Sequence, residues 1–216
     1  MKPEFVIFDV DGLILNTEFL WQKAWNEVGK KYDTPQFGQA FHKVVGVSGK
    51  DAERVLEQEL KGVEFREQML SEARVKGQEL LEREIELMPG VCELLDWLDE
   101  MHIRRAIATT TDRMNTMKRL AQFHLMKRFM FAVCGDEVKK RKPDPEIYLK
   151  VLEKADVPEE KALVLEDTGY GVLAANRAGI KVIMVPSVNS PTEEERKLAL
   201  AVVASLHDAL RYMEQL

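Results

Sequence analysis

Strand-length apolar runs alternate with helix-period stretches along most of the chain. The first run is Phe5-Val6-Ile7-Phe8, and others follow at 105–108, 130–133, 162–165 and 182–185, with a short one at 202–203. Runs that are apolar at consecutive positions read as strands buried on both faces, as in a parallel sheet. Between them, residues 91, 94, 95 and 98 are apolar within 91–101, a helical stripe. Asp144-Pro145 reads as an N-cap with proline at N1, opening a helix. Ser190-Pro191-Thr192-Glu193 reads as an N-cap, an N1 proline and a capping-box acid. The alternation predicts an α/β fold with a doubly wound, mostly parallel sheet.

One stretch breaks the rhythm. From residue 17 to residue 88 no buried strand is evident, and the pattern predicts helices over 18–29, 36–44, 50–60 and 64–87. Trp21, Trp25 and Val28 share one helical face, as do Phe65, Met69 and Ala73. Pro89-Gly90 punctuates the return to the sheet. The expected organisation is a core of residues 1–16 and 89–216 interrupted by an α-helical cap of residues 17–88. Open α/β sheets bind ligands at the C-terminal edge of their strands, which is where such a cap would sit. A helical packing subdomain with no ligand contact is the alternative.

Composition narrows the function classes. The 216 residues are 45% hydrophobic and 31% charged, the profile of a globular domain with a full core. Acidic residues outnumber basic ones 37 to 31, for a net charge of −6, which argues against binding nucleic acid through its phosphates. No apolar run approaches the roughly 20 residues that span a bilayer. The opening MKPEFVIFDVDG places acids inside its apolar stretch, unlike a secretory leader. Two cysteines, Cys92 and Cys134, are too few for a disulfide framework, so a reducing, cytoplasmic location is expected.

Four features could carry chemistry. Asp9 and Asp11, in Phe8-Asp9-Val10-Asp11-Gly12, directly follow the first strand, and acids at i and i+2 in extended backbone point the same way. Their repulsion is relieved by a cation or a shared proton, although an isolated Asp-Gly turn has the same spelling. A second pair, Glu166-Asp167, ends a later apolar strand. All C-termini of a parallel sheet lie on one edge, so both pairs converge there, and clustered carboxylate oxygens suit a hard ion such as Mg²⁺. Thr109-Thr110-Thr111-Asp112 follows a strand and precedes a helix, where hydroxyls and backbone N–H groups make either an anion site or an ordinary cap. The run Lys139-Lys140-Arg141-Lys142 lies in a strand-to-helix connection, so one of its side chains could reach the same edge while the others stay solvated.

These motifs, in this order, resemble those of the haloacid dehalogenase-like hydrolase superfamily over essentially the whole chain. The stretch from Phe8 to Glu18 is similar to the start of the branch that contains β-phosphoglucomutase and many small phosphatases. The resemblance implies a Rossmann-like core with a helical cap, and a Mg²⁺-dependent phosphomonoester hydrolase for a small phosphorylated metabolite such as a sugar or polyol phosphate. It implies that Asp9 is the nucleophile that becomes an aspartyl-phosphate. Asp11 would be the acid–base. Thr109, the N–H of Thr110 and Lys142 would hold the phosphoryl group. Asp9, the carbonyl of Asp11, Glu166 and Asp167 would hold the metal.

The cap segment Val45-Gly46-Val47-Ser48-Gly49-Lys50 resembles that of the mutase and makes Trp21, Val47, Ser48 and Lys50 candidates for substrate contact. The mutase carries an arginine where this chain has Gly49, with Lys50 beside it, and a histidine where this chain has Trp21. Both departures favour a phosphatase over a sugar-phosphate mutase. A phospho-acceptor signalling domain shares strand-end aspartates, a threonine and a lysine, but has no helical insertion after its first strand.

Overall fold

The computed structural model describes residues 2–47 and 49–216. Six strands form one sheet: β1 (Phe5–Phe8), β2 (Arg104–Ala108), β3 (Ala132–Val133), β4 (Ala162–Glu166), β5 (Lys181–Met184) and β6 (Ala201–Val202). Their order is β3-β2-β1-β4-β5-β6, and every pairing is parallel. The doubly wound α/β fold expected from the alternation is the fold observed. β1 lies centrally with all four residues buried, which is why its sequence is apolar at every position.

The pleat divides the apolar residues between two faces. Phe5, Ile7, Ala106, Ala108, Val164, Val182 and Met184 join one buried cluster with helices α7 (Glu146–Ala155) and α8 (Gly169–Arg177). Val6, Phe8, Ile107, Leu163, Leu165 and Ile183 alternate with them and are equally buried. Helices α5 (Val91–Glu100) and α10 (Leu206–Glu214) pack against each other. The stripe predicted at 91, 94, 95 and 98 is the buried face of α5.

Two helix starts differ from expectation. Pro145, not Asp144, occupies the N-cap of α7, and the Asp144 carboxylate accepts from the N–H of Glu146. The capping box at 190–193 begins two residues later. Thr192 caps α9 (Glu193–Leu198), accepting from the N–H of Glu195, whose carboxylate accepts from the N–H of Thr192.

The chain divides into two compact units, Met1–Leu15 with Leu87–Leu216, and Asn16–Glu86. The second is helical: α1 (Thr17–Lys31), α2 (Pro35–Val44), α3 (Gly49–Glu59) and α4 (Arg66–Arg83). α1 packs on α2 and α4, with Trp25 stacked on Phe37 at 4.6 Å between ring centroids. Met69 and Ala73 are buried on α4, but Phe65 is 57% exposed in a left-handed conformation ahead of that helix, off the face it was expected to share. At the ends of this unit the Asn16 side chain accepts from the N–H of Glu86 and donates to the carbonyl of Glu84. No helix among the described residues is long and apolar enough to cross a membrane.

Candidate active site

Strand register builds the site. Phe8 lies opposite both Ile107 on β2 and Leu165 on β4, so the residues that follow these strands emerge side by side. The N–H of Asp9 donates to the carbonyl of Leu165, and the N–H of Thr109 donates to that of Val133. Asp9, Thr109, Lys142, Glu166 and Asp167 are all buried. Gly12 adopts φ 81°, the left-handed turn that its lack of a side chain permits, and the chain folds back at once behind Asp11.

Lys142 is the one lysine of the basic run that turns inward; Lys139, Lys140 and Arg141 are exposed. Its Nζ donates to Oδ1 of Asp9 at 2.6 Å, to Oε1 of Glu166 at 2.5 Å and to the carbonyl of Ala108 at 3.0 Å. Burial works against its charge, but Asp9 and Glu166 outweigh that and hold its pKa well above the ordinary lysine value. Burial pushes the Asp9 carboxyl up to about 7, with Lys142 opposing and Glu166 and Asp11 adding to the rise.

Glu166 is held from both ends. Oε1 also accepts from the Tyr148 hydroxyl at 2.8 Å, and Oε2 accepts from the N–H groups of Asp167 and Thr168 and from the Thr168 hydroxyl. The Ser187 hydroxyl donates to Oδ2 of Asp167 at 2.6 Å. Oxygens of Asp9, Glu166 and Asp167 lie within 4.8 Å of one another. Three buried carboxylates face one lysine, an excess of negative charge that an all-oxygen cation site would relieve. The donor set therefore fits a hard divalent ion.

Asp11 stands beside this cluster with its carboxylate engaged elsewhere. Oδ2 accepts from Thr111 Oγ1 at 2.6 Å and Thr109 Oγ1 at 3.3 Å, and Oδ1 accepts from Arg119 Nη1 at 2.9 Å. Thr109 Oγ1 in turn accepts from the N–H of Thr111. Asp112 caps α6 (Arg113–Ala121), so the 109–112 loop runs into a helix N-terminus. Thr110 is half-buried in that loop.

The other candidates lie in the helical unit. Trp21 is half-buried against Gly77, where a Cβ would strike its ring. It lines a cavity of about 540 Å³ with Trp25, Leu56, Leu70, Arg66 and Arg74. Val47 is half-buried and Lys50 exposed. Ser48 lies outside the described residues.

Sequence reasoning missed Arg119, Tyr148 and Ser187, and it placed Thr111 in the hydroxyl run without giving it a role of its own. Thr111 was legible at i+2 from Thr109, the spacing that aligns side chains in extended backbone. Tyr148 falls in the apolar stripe of α7 with Ile147, Val151 and Leu152.

The chain matches the haloacid dehalogenase-like hydrolases over residues 6–185 and belongs to that family. It is similar to the phosphorylated carbohydrates phosphatase of Thermotoga maritima, with 36% identity over 188 residues, 86% of this chain and 87% of that one. Protein CbbY of Rhodobacter capsulatus is 30% identical over 197 residues, 87% of each chain. The crystal structure of CbbY from Rhodobacter sphaeroides in complex with phosphate has a TM-score of 0.72 at 28% identity, covering 94% of this chain and 95% of that chain. Within its family the chain is a phosphatase of the haloacid dehalogenase-like type.

Proposed function

We propose that this phosphatase is a Mg²⁺-dependent phosphomonoester hydrolase that acts on a small phosphorylated sugar or polyol through an aspartyl-phosphate on Asp9. The observation that carries the reading is Asp9 itself: a buried carboxylate paired with Lys142, beside Glu166 and Asp167. Asp9, Glu166, Asp167 and the carbonyl of Asp11 would hold the ion, which when bound supplies positive charge to the site. A relative named phosphorylated carbohydrates phosphatase, and a CbbY structure with xylulose 1,5-bisphosphate at 27% identity, support the substrate class.

In this reading an Asp9 oxygen attacks phosphorus and the bond from phosphorus to the leaving oxygen breaks. Asp11 gives its proton to that oxygen, then takes one from the water that attacks the aspartyl-phosphate and releases phosphate. Lys142 offsets the charge on Asp9 and the phosphoryl oxygens, and Thr109 with the N–H of Thr110 holds them. Residues 17–88 act as the cap that selects the substrate and excludes water. The free cysteines, Cys92 exposed and Cys134 buried, support a cytoplasmic location.

The test is phosphate release from a panel of small phosphomonoesters, with and without Mg²⁺, on the wild type and Asp9→Asn. Mg²⁺-dependent release lost in Asp9→Asn is expected, and full activity in a folded Asp9→Asn protein would remove Asp9 from the role of nucleophile. A sugar-phosphate mutase is the second reading, favoured by relatives of that branch and disfavoured by Trp21 and Gly49. Isomerised hexose phosphate appearing faster than free phosphate would establish it.

A further inference from the structure

We propose that Arg119 is a positioning residue that fixes which oxygen of Asp11 performs the proton transfers, an inference that rests on the acid–base reading of Asp11 above. Arg119 lies near the end of α6, the helix whose N-terminus carries the 109–112 loop. Its side chain is 12% exposed, and its Nη1 lies 2.9 Å from Oδ1 of an Asp11 side chain that is itself 16% exposed. A guanidinium this deeply placed needs hydrogen-bond acceptors to offset its lost hydration, and Oδ1 of Asp11 is an acceptor for it whether or not the other oxygen carries a proton.

The two sides of the Asp11 carboxylate differ in kind. Arginine has five N–H donors and no acceptor, so the oxygen it holds cannot present a proton to it. The hydroxyls of Thr109 and Thr111, on Oδ2, can rotate between donating and accepting. Oδ1 is therefore reserved as an acceptor, and Oδ2 is the oxygen that carries the transferable proton. Oδ2 is also the oxygen on the side of Thr109, where the phosphoryl group is proposed to sit. One continuous segment, β2 to α6, thus supplies the phosphate loop from its start and the clamp on the acid–base from its far end. The spacing of Asp112, Thr116 and Arg119 keeps all three near one helical face.

The consequence separates positioning from simple stabilisation. A sugar or polyol alkoxide leaves poorly and needs the proton as its bond to phosphorus breaks. A nitrophenolate leaves without one, so its kcat/KM, which reports the steps up to leaving-group release and not the later attack of water, is insensitive to the placement of Asp11. Steady-state kinetics on hexose 6-phosphate and p-nitrophenyl phosphate would be compared for the wild type, Arg119→Lys, Arg119→Met and Asp11→Asn, with unfolding midpoints for each. Arg119→Met is expected to lose about 10–100-fold in kcat/KM on the alkyl ester, a part of what a general acid supplies. It should lose less than about threefold in kcat/KM on the aryl ester, while any effect on the shared hydrolysis of the aspartyl-phosphate lowers kcat on both esters alike. Arg119→Lys should recover part of the loss, because a cation remains but the fork does not.

Equal losses in kcat/KM on both esters, or no loss on either, would overturn the proposal. Failure of both Arg119 variants to fold would do so as well, making the pair purely structural. The Asp11→Asn control keeps the two levels apart. If its kcat/KM falls alike on both esters, the general-acid role of Asp11 itself fails. If it discriminates between them and Arg119→Met does not, only the positioning role of Arg119 is lost.

Discussion

The ammonium of Lys142 lies 2.6 Å from Oδ1 of Asp9, with the two side chains only 4% and 9% exposed. Asp9 follows β1 and Lys142 comes from the connection after β3, two strands away in the sheet, so the pair joins segments 133 residues apart in sequence. Glu166 shares the same ammonium at 2.5 Å. A single cation thus offsets two buried anions, and its removal strands both.

Lys142→Met keeps the buried stem and deletes the charge. Breaking a buried pair in this way costs about 3–5 kcal/mol, because the partner charges remain out of water. The expected outcome is a lowered urea midpoint with an unchanged slope. Phosphate release should fall on the order of 100-fold or more, since an electrostatic donor at the reacting group is lost. A variant that unfolds like the wild type would show that Asp9 and Glu166 do not depend on Lys142.

The Asp9 carboxyl titrates near 7 because burial raises it, whereas in the unfolded chain it titrates at about 3.9. Between these values the unfolded state has lost the proton and the folded state still binds it, so metal-free stability falls as pH rises from about 4 through 7. Glu72, Glu93, Asp99, Asp112, Glu146 and Asp208 are lowered instead. Their contributions are already complete by about pH 5, so they do not oppose the Asp9 effect in the window above it. In EDTA the protein should therefore lose about 1–3 kcal/mol between pH 5 and pH 7.5. Mg²⁺ should restore stability at pH 7.5 and do much less at pH 5, where a proton already occupies Asp9. Asp9→Asn should flatten both dependences; thermal melts across pH, with and without the ion, read all three.

The sheet was legible because its strands are buried on both faces, which leaves an unbroken apolar signature at Phe5–Phe8 and at each later run. Asp9, Thr109 and Glu166 were legible for a related reason: each follows or ends such a run, and parallel register carries strand ends to one edge. The connection showed only that one residue of the run Lys139–Lys142 could reach the edge; the family resemblance singled out Lys142, since its neighbours carry the same charge and remain solvated. Arg119 and Tyr148 were not legible. Helical period assigns a residue to a face, but not the direction in which that face is docked. Helix starts slipped by a residue or two wherever adjacent residues could each cap, as at Asp144-Pro145 and Ser190–Thr192. At α9 the Thr192 hydroxyl met the free N–H of Glu195, whereas at α7 the helix begins after Pro145 and the Asp144 carboxylate still accepts from the N–H of Glu146.

Gly171 is constrained by Glu166. A Cβ at this position in α8 would collide with the Glu166 carboxylate, which Lys142, Tyr148, Asp167 and Thr168 hold in place. Gly171→Ala gains helix propensity of about 1 kcal/mol, yet it should destabilise the protein by about 1–3 kcal/mol through overpacking. The Mg²⁺ concentration needed for half-maximal phosphate release should rise. A stabilised variant with an unchanged metal requirement would mean that Glu166 moves aside freely.

Tyr148→Phe isolates a single hydrogen bond. The ring is fully buried beneath Lys142, whose Nζ lies 5.1 Å from its centroid, and phenylalanine fills the same volume. Burial and the neighbouring Glu166 push the Tyr148 phenol well above its ordinary pKa, so it remains a donor at any working pH. Removing it leaves Oε1 of Glu166 with Lys142 alone, and a hydrogen bond to a charged group is worth about 1.5–3 kcal/mol. The urea midpoint should fall accordingly. Glu166 would also be less firmly oriented, so a higher Mg²⁺ requirement is expected with little change in KM for the phosphoester. Titrating Mg²⁺ against both phosphate release and the thermal midpoint checks the two effects separately. A stability loss with no change in the metal requirement would confine Tyr148 to the packing of α7.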